Sequence, residues 1–169
     1  MVAYIREFRE RGGSIKVPPH PASQRYAWVA EAKRYREECD YYPPERRTDK
    51  HRRGLAYMWF SVRHAWCIVA VRNQEIVAAA SYYIRPDCVE VKVVGSRQLD
   101  EARGAGMAIE FALAQEAERR GFGVRSEYTW SERNFHVRIG RRLDERGHQT
   151  SDWTQEDCRF LVRGIKELL

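Results

Sequence analysis

Residues Cys88 to Ala108 read CVEVKVVGSRQLDEARGAGMA, and this stretch decides the fold. Its first part, Val89 to Val94, is a β-branched run of the kind found in buried strands. Its last part, Arg103 to Ala108, leads directly into an alanine-rich segment whose apolar spacing predicts a helix. A glycine-rich turn at a helix start leaves backbone N–H groups unpaired beside the positive end of the helix dipole. Such a turn suits a phosphate or pyrophosphate.

Two well-known phosphate loops do not match this stretch. A P-loop ends in Gly-Lys-Ser/Thr, whereas Gly106 is followed here by Met107 and Ala108. A dinucleotide-binding fingerprint begins directly at the strand end and carries Gly or Ala at its last position. In this chain residues 96–102 separate the strand from the loop, and Ile109 holds that last position. Both nucleotide-binding classes are therefore disfavoured.

The stretch resembles the pyrophosphate loop of the GNAT superfamily, the acyl-CoA-dependent N-acyltransferases. The signature of that loop is Gln/Arg-x-x-Gly-x-Gly/Ala between the fourth strand and the third helix, and Arg103, Gly106 and Ala108 satisfy it. In one branch of the superfamily a glutamate general base sits on the fourth strand, thirteen residues before the loop arginine. Glu90 stands thirteen residues before Arg103. The resemblance covers about residues 65–165.

The resemblance implies an α/β fold with a central, mostly antiparallel sheet, helices on both faces, and fourth and fifth strands that splay apart. Pantetheine would lie in the gap between those two strands and pair with strand-edge backbone groups, as an added β-strand would. The residues that would line this gap are Val93, Val94 and Gly95. The backbone amides that would hold the pyrophosphate are those of Arg103, Gly104, Ala105, Gly106, Met107 and Ala108. A Cβ at either glycine of the loop would block the approach of the phosphate.

The resemblance also implies direct attack of a primary amine on the acetyl-CoA thioester, with Glu90 as the general base. Desolvation in the acceptor cleft would raise the pKa of this carboxyl group and make it a better base. A structural role is the alternative, because Lys92 lies two residues along on the same strand face and would pair with Glu90. Backbone N–H groups near Val94 would polarise the thioester carbonyl.

The proton donor for the departing thiolate does not carry over from the family. Many members use a tyrosine about seven residues after an asparagine, on the helix that follows the fifth strand. Here Arg141 stands seven residues after Asn134. Tyr128 on the preceding strand is the substitute candidate, and a core aromatic side chain is the alternative for it. Asn134 would bond the pantetheine or cap its helix.

Length and composition predict a compact cytoplasmic domain without a metal. The chain has 169 residues, 43% of them hydrophobic. It has no run of about 20 apolar residues that would span a membrane. Its four cysteines are widely spaced without a C-x-x-C pair, and its five histidines show no ligand spacing. This usage fits reduced thiols in the cytoplasm and argues against a metal site.

The predicted order of elements is α/β within a single domain of residues 1–169. Residues 1–62 would be an N-terminal helical part on the acceptor side, and residues 65–169 the acetyl-CoA-binding core. The residues 151–157 are expected to connect the last two strands, where acidic groups would favour a cationic amine. The predicted helices are 5–11, 22–39, 53–62, 104–120 and 134–146. The predicted strands are 14–17, 66–71, 76–84, 89–94 and 123–130, with two late strands around Asp152 and Phe160.

Charge leaves more than one function open. Arginine carries most of the net charge of +6, with 25 arginines against five lysines, and the densest cluster lies at residues 45–53. Such a balance indicates either a solvated surface or a polyanionic partner, and CoA itself supplies phosphates to neutralise. The favoured function is an N-acetyltransferase for a primary amine of a small molecule or protein. The alternatives are an acetyltransferase for an RNA-linked amine such as aminoacyl-tRNA, and a non-catalytic CoA-sensing or nucleic-acid-binding module.

Overall fold

The computed structural model describes residues 1–16, 66–96, 102–128, 130, 132–147 and 149–169. Its helices are α1 (Val2–Glu10), α2 (Ala105–Arg120), α3 (Arg133–Arg138) and α4 (Gln155–Leu168). Its strands are β1 (Ser14–Lys16), β2 (Trp66–Arg72), β3 (Glu75–Ile84), β4 (Cys88–Ser96), β5 (Gly123–Glu127), β6 (Arg142–Asp144) and β7 (Thr150–Trp153). The helices predicted at 22–39 and 53–62, and the basic cluster at 45–53, lie outside the described residues.

Within this part of the chain the strands form one sheet in the order β1-β2-β3-β4-β5-β7-β6. All neighbouring strands run antiparallel except β4 and β5, which are parallel. The connection between β4 and β5 contains α2, as a parallel pair requires. The predicted α/β fold with a mostly antiparallel sheet is confirmed.

The hairpin between β2 and β3 turns at Asn73 and Gln74, in the gap between the strands predicted at 66–71 and 76–84. Both residues have positive φ, 52° and 65°, which is the conformation of a two-residue type I′ turn. Asparagine tolerates this left-handed conformation better than most residues, so the turn has a local cause.

Helix α2 packs on the sheet, on α1 and on α4, and is buried on most of its circumference. Its alanines allow this close packing, because a small side chain lets several elements approach the helix backbone. The larger residues Ile109, Phe111 and Leu113 fill the spaces that the alanines leave, and all three are buried. This helix therefore places the glycine-rich loop at its N-terminus rigidly against the sheet.

The strands β4 and β5 separate partway along their length. Their pairing runs from Cys88 opposite Gly123 to Val91 opposite Ser126. Beyond that point β4 continues to Ser96 alongside β3, while β5 stays paired with β7. The predicted splay of the fourth and fifth strands is therefore present.

A register shift on β4 lies where the two strands separate. Tyr82 pairs with Val91 and Ser81 pairs with Val93, which leaves Lys92 without a partner on β3. An extra residue of this kind bends a strand and increases its local twist. The shift therefore turns the second half of β4 away from the line of its first half.

The helix predicted from 134 to 146 is wrong in length. Helix α3 ends at Arg138, and residues Arg142–Asp144 form β6. The stop is at Gly140, whose φ of 79° is the left-handed conformation that ends many helices. The sequence-based prediction placed the stop at Gly147, one glycine too late.

The late strand predicted around Phe160 is also wrong, because Phe160 lies on α4. This helix begins with a capping box, in which the Thr154 hydroxyl accepts from the Asp157 N–H and the Asp157 carboxylate accepts from the Thr154 N–H. Cys158, Val162 and Ile165 then recur at helical spacing and are buried. Residues 151–157 are therefore the end of β7 and the start of α4, and the last two strands are connected by residues 145–149.

Candidate active site

The start of α2 is an uncapped helix N-terminus. Gly104 is the N-cap residue, and among the residues that the structure describes no side chain caps the helix there. The first backbone bond of the helix runs from the Ala108 N–H to the Gly104 carbonyl, at 3.0 Å. The N–H groups of the first turn thus have no acceptor within the helix, and the helix dipole places partial positive charge on them. This arrangement can bind an anion.

The two glycines of the loop have different reasons to be glycine. Gly104 has a φ of +83°, and a Cβ there would lie 2.2 Å from the carbonyl oxygen of Tyr4 on α1. Gly106 has open space in front of it as far as the described residues go, since a Cβ would meet none of their atoms within 4 Å. Backbone conformation and packing against α1 are therefore enough to require glycine at position 104, so the expectation about phosphate approach is not tested there. It remains a prediction for Gly106.

Helix α1 flanks the loop, which the sequence did not indicate. The Arg103 guanidinium lies 3.3 Å from the Glu7 carboxylate, measured from Nε to Oε2. The arginine side chain is 60% exposed, so this contact is solvent-screened and weak. Arg103 is therefore able to exchange Glu7 for a phosphate at little cost.

The predicted pantetheine residues lie in the part of β4 that β5 leaves unpaired. Val93 and Val94 pair with Ser81 and Ala80 on β3 along their other edge. Val94 is 37% exposed, which is unusual for a valine in a central strand. Within the described residues the fork thus presents an unpaired backbone edge of β4 beside the exposed Val94 side chain, as pairing with an extended ligand requires.

Glu90 sits on the paired half of β4 between two cations. Its Oε1 lies 2.5 Å from the Lys92 Nζ, and its Oε2 accepts a hydrogen bond from the Arg85 Nε. The Glu90 side chain is 23% exposed. The ion pair with Lys92, given as the structural alternative from sequence, is present, and Arg85 is an additional partner that the sequence did not reveal.

These partners lower the basicity of Glu90. Burial by itself raises the pKa of the carboxyl group, but the hydrogen bonds and charges of Lys92 and Arg85 outweigh it, and the net pKa is lowered. The direction is opposite to the one expected from the sequence. Glu90 is therefore ionised at neutral pH and can accept a proton, but as a weaker base than expected.

Tyr128 lies in a different cluster from Glu90. Its hydroxyl donates to the Glu145 carboxylate at 3.3 Å, and the Arg133 Nε lies 2.7 Å from the same oxygen. Burial and the neighbouring Glu145 raise the pKa of Tyr128, so its hydroxyl stays protonated at neutral pH. Glu145 belongs to the connection between β6 and β7.

Asn134 is exposed and is the second residue of α3. The N-cap of that helix is Glu132, so the suggested capping role of Asn134 is wrong. A contact of Asn134 with pantetheine remains a prediction.

Sequence reasoning missed a buried polar network on the α2 side of the sheet. Arg141 and Glu110 form an ion pair of 2.5 Å, with side-chain exposures of 0% and 2%. The same guanidinium donates to the Ser126 hydroxyl at 2.5 Å and lies over the Trp153 ring, 4.7 Å from its centroid. Arg141 therefore points into the core, although it stands where the family's tyrosine was sought. Glu110 carried the available signal, as an acidic residue among alanines without a basic residue one helical turn away.

His136 joins this network through Ser151. The His136 Nδ1 lies 2.8 Å from the Ser151 hydroxyl, and its ring centroid lies 5.3 Å from that of Tyr128. Burial and the Arg141 charge lower the pKa of His136 from 6.5 to about 4, with Glu132 acting in the opposite sense. The imidazole is therefore neutral at physiological pH.

This lowered pKa predicts an acid-dependent loss of stability. Between pH 6.5 and about 4 His136 is protonated in the unfolded chain but neutral in the folded protein. The free energy of unfolding therefore falls as the pH falls through this range. We expect this residue to contribute a loss of up to about 3 kcal/mol by pH 4. Urea unfolding of wild type and His136→Asn at several pH values measures it. Equal losses in the two proteins would contradict the prediction.

Metal ligands and reactive thiols do not form a site in the described ranges. These residues contain no cluster of three His, Cys, Asp or Glu side chains that could hold a metal ion. Burial raises the pKa of the thiols of Cys67 and Cys158 to about 12 and about 11, so neither is a thiolate at neutral pH. None of the helices in these ranges has the length and apolar character needed to cross a bilayer.

Comparison with known proteins identifies the fold. No protein-family model and no curated protein matches the sequence. A GNAT-family acetyltransferase from Staphylococcus aureus Mu50 is similar in structure, with a TM-score of 0.56 and 10% identity over 85% of this chain and 99% of that one. The fold is that of the GNAT acetyltransferases.

Two further GNAT-fold structures have more specific descriptions. The PaiA N-acetyltransferase of Thermoplasma acidophilum, solved in complex with coenzyme A, has a TM-score of 0.55 and 8% identity over 83% of this chain and 99% of its own. The ribosomal-protein-S18-alanine N-acetyltransferase of Escherichia coli has a TM-score of 0.53 and 13% identity over 83% of this chain and 90% of its own. At these identities the likeness shows the GNAT fold alone.

Proposed function

We propose that this protein is an N-acetyltransferase that transfers the acetyl group of acetyl-CoA to a primary amine of a small molecule or protein. The observation that carries the proposal is the fork between β4 and β5 in the same fold as an uncapped, glycine-rich start of α2. The fork offers an edge for pantetheine, and the helix start offers amides for a pyrophosphate. The coenzyme A complex of a protein with the same fold supports this assignment.

In this proposal acetyl-CoA binds along residues 93–95 and at the loop 103–108. The backbone of Val94 and Gly95 pairs with pantetheine, and the free N–H groups near Val94 polarise the thioester carbonyl. The amides of the first turn of α2 hold the pyrophosphate, and the open space in front of Gly106 admits it. Arg103 exchanges its weak contact with Glu7 for a phosphate oxygen.

The reaction then needs a proton acceptor and a proton donor. A lysine-like amine has a pKa of about 10.4, so it enters the site as an ammonium ion and must lose a proton before attack. Glu90 accepts this proton directly or through a water molecule. Nucleophilic attack forms the new C–N bond, the C–S bond breaks, and the thiolate takes a proton from Tyr128 or from water.

The second candidate is a non-catalytic CoA-binding module on the same fold. Two observations favour it. Glu90 is already paired with two cations. Arg141, which stands where the family's tyrosine was sought, is buried against Glu110. An acceptor screen separates the candidates, since release of free thiol from acetyl-CoA requires turnover. Turnover with aminoacyl-tRNA rather than with free amines or peptides would favour the RNA-linked acceptor instead.

The proposal also includes the location of the protein in the cell and the organisation of the chain into one domain. A reducing, cytoplasmic location fits the buried free thiols of Cys67, Cys88 and Cys158. Residues 1–16 belong to the same domain as the sheet in this proposal, because β1 joins the edge of the sheet and α1 packs on α2.

Substitution of Gly106 tests the pyrophosphate site. A Cβ at this position meets no protein atom within 4 Å, so Gly106→Ala leaves room for folding, and a helix gains up to about 1 kcal/mol from it. We expect acetyl-CoA affinity to fall by about tenfold or more, because the methyl group occupies the space that the phosphate needs. Gly106→Glu adds a negative charge and lowers the affinity further.

Gly164→Ala is the matched control for this test. Gly164 lies in α4, and a Cβ there also meets nothing within 4 Å. The control gains the same helix propensity but leaves calorimetric binding of acetyl-CoA unchanged. Normal binding by a folded Gly106→Glu variant would refute the loop assignment.

A further inference from the structure

A cavity of about 1000 Å³ lies between α1, α2 and the β1–β2 edge of the sheet. Apart from Ala108, its described lining residues lie outside the proposed acetyl-CoA site. The volume is at the upper end of the range of small-molecule sites in proteins, about 300–1,000 Å³. The acetyl transfer proposed above gives this cavity no role.

The walls of the cavity are apolar and rich in aromatic rings. Such walls bury the body of a ligand, and a few polar groups then fix its orientation. The described apolar residues that line the cavity are Ile5, Phe8, Ile15, Trp66, Phe111 and Ala112.

Charged residues at the α2 end of the lining carry an excess of positive charge. Glu116 is 7% exposed and pairs with Arg119 at 3.0 Å and with Arg120 at 2.6 Å. Arg120 also lies over the Trp66 ring, 5.2 Å from its centroid. Arg9 of α1 adds a further guanidinium, so the described lining residues include three cations and one carboxylate. This balance favours an anionic group on the ligand.

We propose that this cavity binds a small carboxylic acid with an aliphatic or aromatic body. The carboxylate lies against Arg9, Arg119 and Arg120, and the apolar body lies against Phe8, Phe111 and Trp66. Planar guanidinium groups bind carboxylates in two-point geometry, which suits a ligand of this class.

Octanoate is the probe for this proposal, with octylamine and 1-octanol as chain-matched controls. Calorimetry on the full chain should show octanoate binding at least about tenfold more tightly than octylamine, because the lining is cationic. Arg9→Gln should weaken octanoate binding by about threefold to tenfold, since the ligand carboxylate loses one partly exposed guanidinium partner. Arg163→Gln is the matched control, on an 81% exposed side chain of α4.

A cavity-filling variant decides whether the probe is in this cavity. Gln115 lines the cavity and is only partly buried, so Gln115→Trp fills space without opening the core. It should abolish octanoate binding while calorimetric binding of acetyl-CoA stays normal. Unchanged octanoate binding in folded Gln115→Trp, or equal affinity for the three probes, overturns the proposal. Because acetyl-CoA binding is measured separately, failure here is distinguishable from failure of the proposed function.

Discussion

Glu90→Gln should lower the turnover number for amine acetylation by about 10²–10⁴-fold, with acetyl-CoA affinity close to that of wild type. Glutamine keeps the shape of the side chain, and its single amide oxygen can still accept a hydrogen bond from Lys92 or Arg85, but it cannot accept the proton of the ammonium substrate. The residual rate should rise with pH, because more of the amine is then unprotonated. Steady-state kinetics on an acceptor found by thiol release measure both effects.

Lys92→Met is the companion variant to Glu90→Gln. The Lys92 ammonium is one of the two groups that lower the pKa of Glu90, so its removal raises that pKa. Glu90 must be ionised to act as a base, and activity is therefore lost as the pH falls through its pKa. The acid limb of the pH–rate profile should move to higher pH in Lys92→Met, while turnover on the plateau changes little.

The structural alternative predicts a different pair of results. If Glu90 only holds an ion pair, Glu90→Gln and Lys92→Met both lower the melting temperature and leave the turnover number and the acid limb in place. Near wild-type turnover of Glu90→Gln would sink the general-base role and direct attention to Tyr128 or bound water.

Arg141→Met should lower the free energy of unfolding by about 3–5 kcal/mol, because it leaves the Glu110 carboxylate buried without its partner. The two side chains are 0% and 2% exposed, so water cannot replace the lost guanidinium without disrupting the core. Ser126 also loses a hydrogen bond from the same group. Urea unfolding monitored by circular dichroism measures the change.

The double variant Arg141→Met, Glu110→Leu should recover most of this loss. Replacing both members of a buried pair with apolar side chains of similar size is often neutral, since neither charge then has to be desolvated. Arg142→Met is the control, because Arg142 pairs with Asp157 at 3.2 Å from a side chain that is 66% exposed. This control should cost less than about 1 kcal/mol. A single Arg141→Met variant as stable as the control would show that the buried pair contributes little.

Local patterns predicted the elements that carry the candidate site. The β-branched run of β4, the turn at Asn73 and the alanine-rich helix α2 all follow from the spacing of neighbouring residues. Local patterns also contained the signals that were missed. Gly140 ends α3, and Thr154 with Asp157 caps α4, so both errors arose from the choice between competing local signals.

The protonation properties of the candidate residues could not be predicted in the same way. The position of Lys92 suggested its contact with Glu90, but the second cation, Arg85, comes from the turn before β4. Burial raises the pKa of Glu90 and neighbouring cations lower it, so the direction of the net shift depends on how many cations contact the carboxylate. The same holds for His136, whose lowered pKa depends on burial and on the core position of Arg141.

The sequence by itself determined the order of strands and helices around the glycine-rich loop, because strand and helix periods, hairpin turns and helix starts are set by residues close together in the chain. Only the tertiary structure decided the positions and the burial that depend on long-range contacts. It placed α1 against Gly104 and buried Arg141 against a carboxylate 31 residues away. The physical reason is that charge, burial and close packing depend on groups distant in sequence, and no local pattern encodes which of them meet.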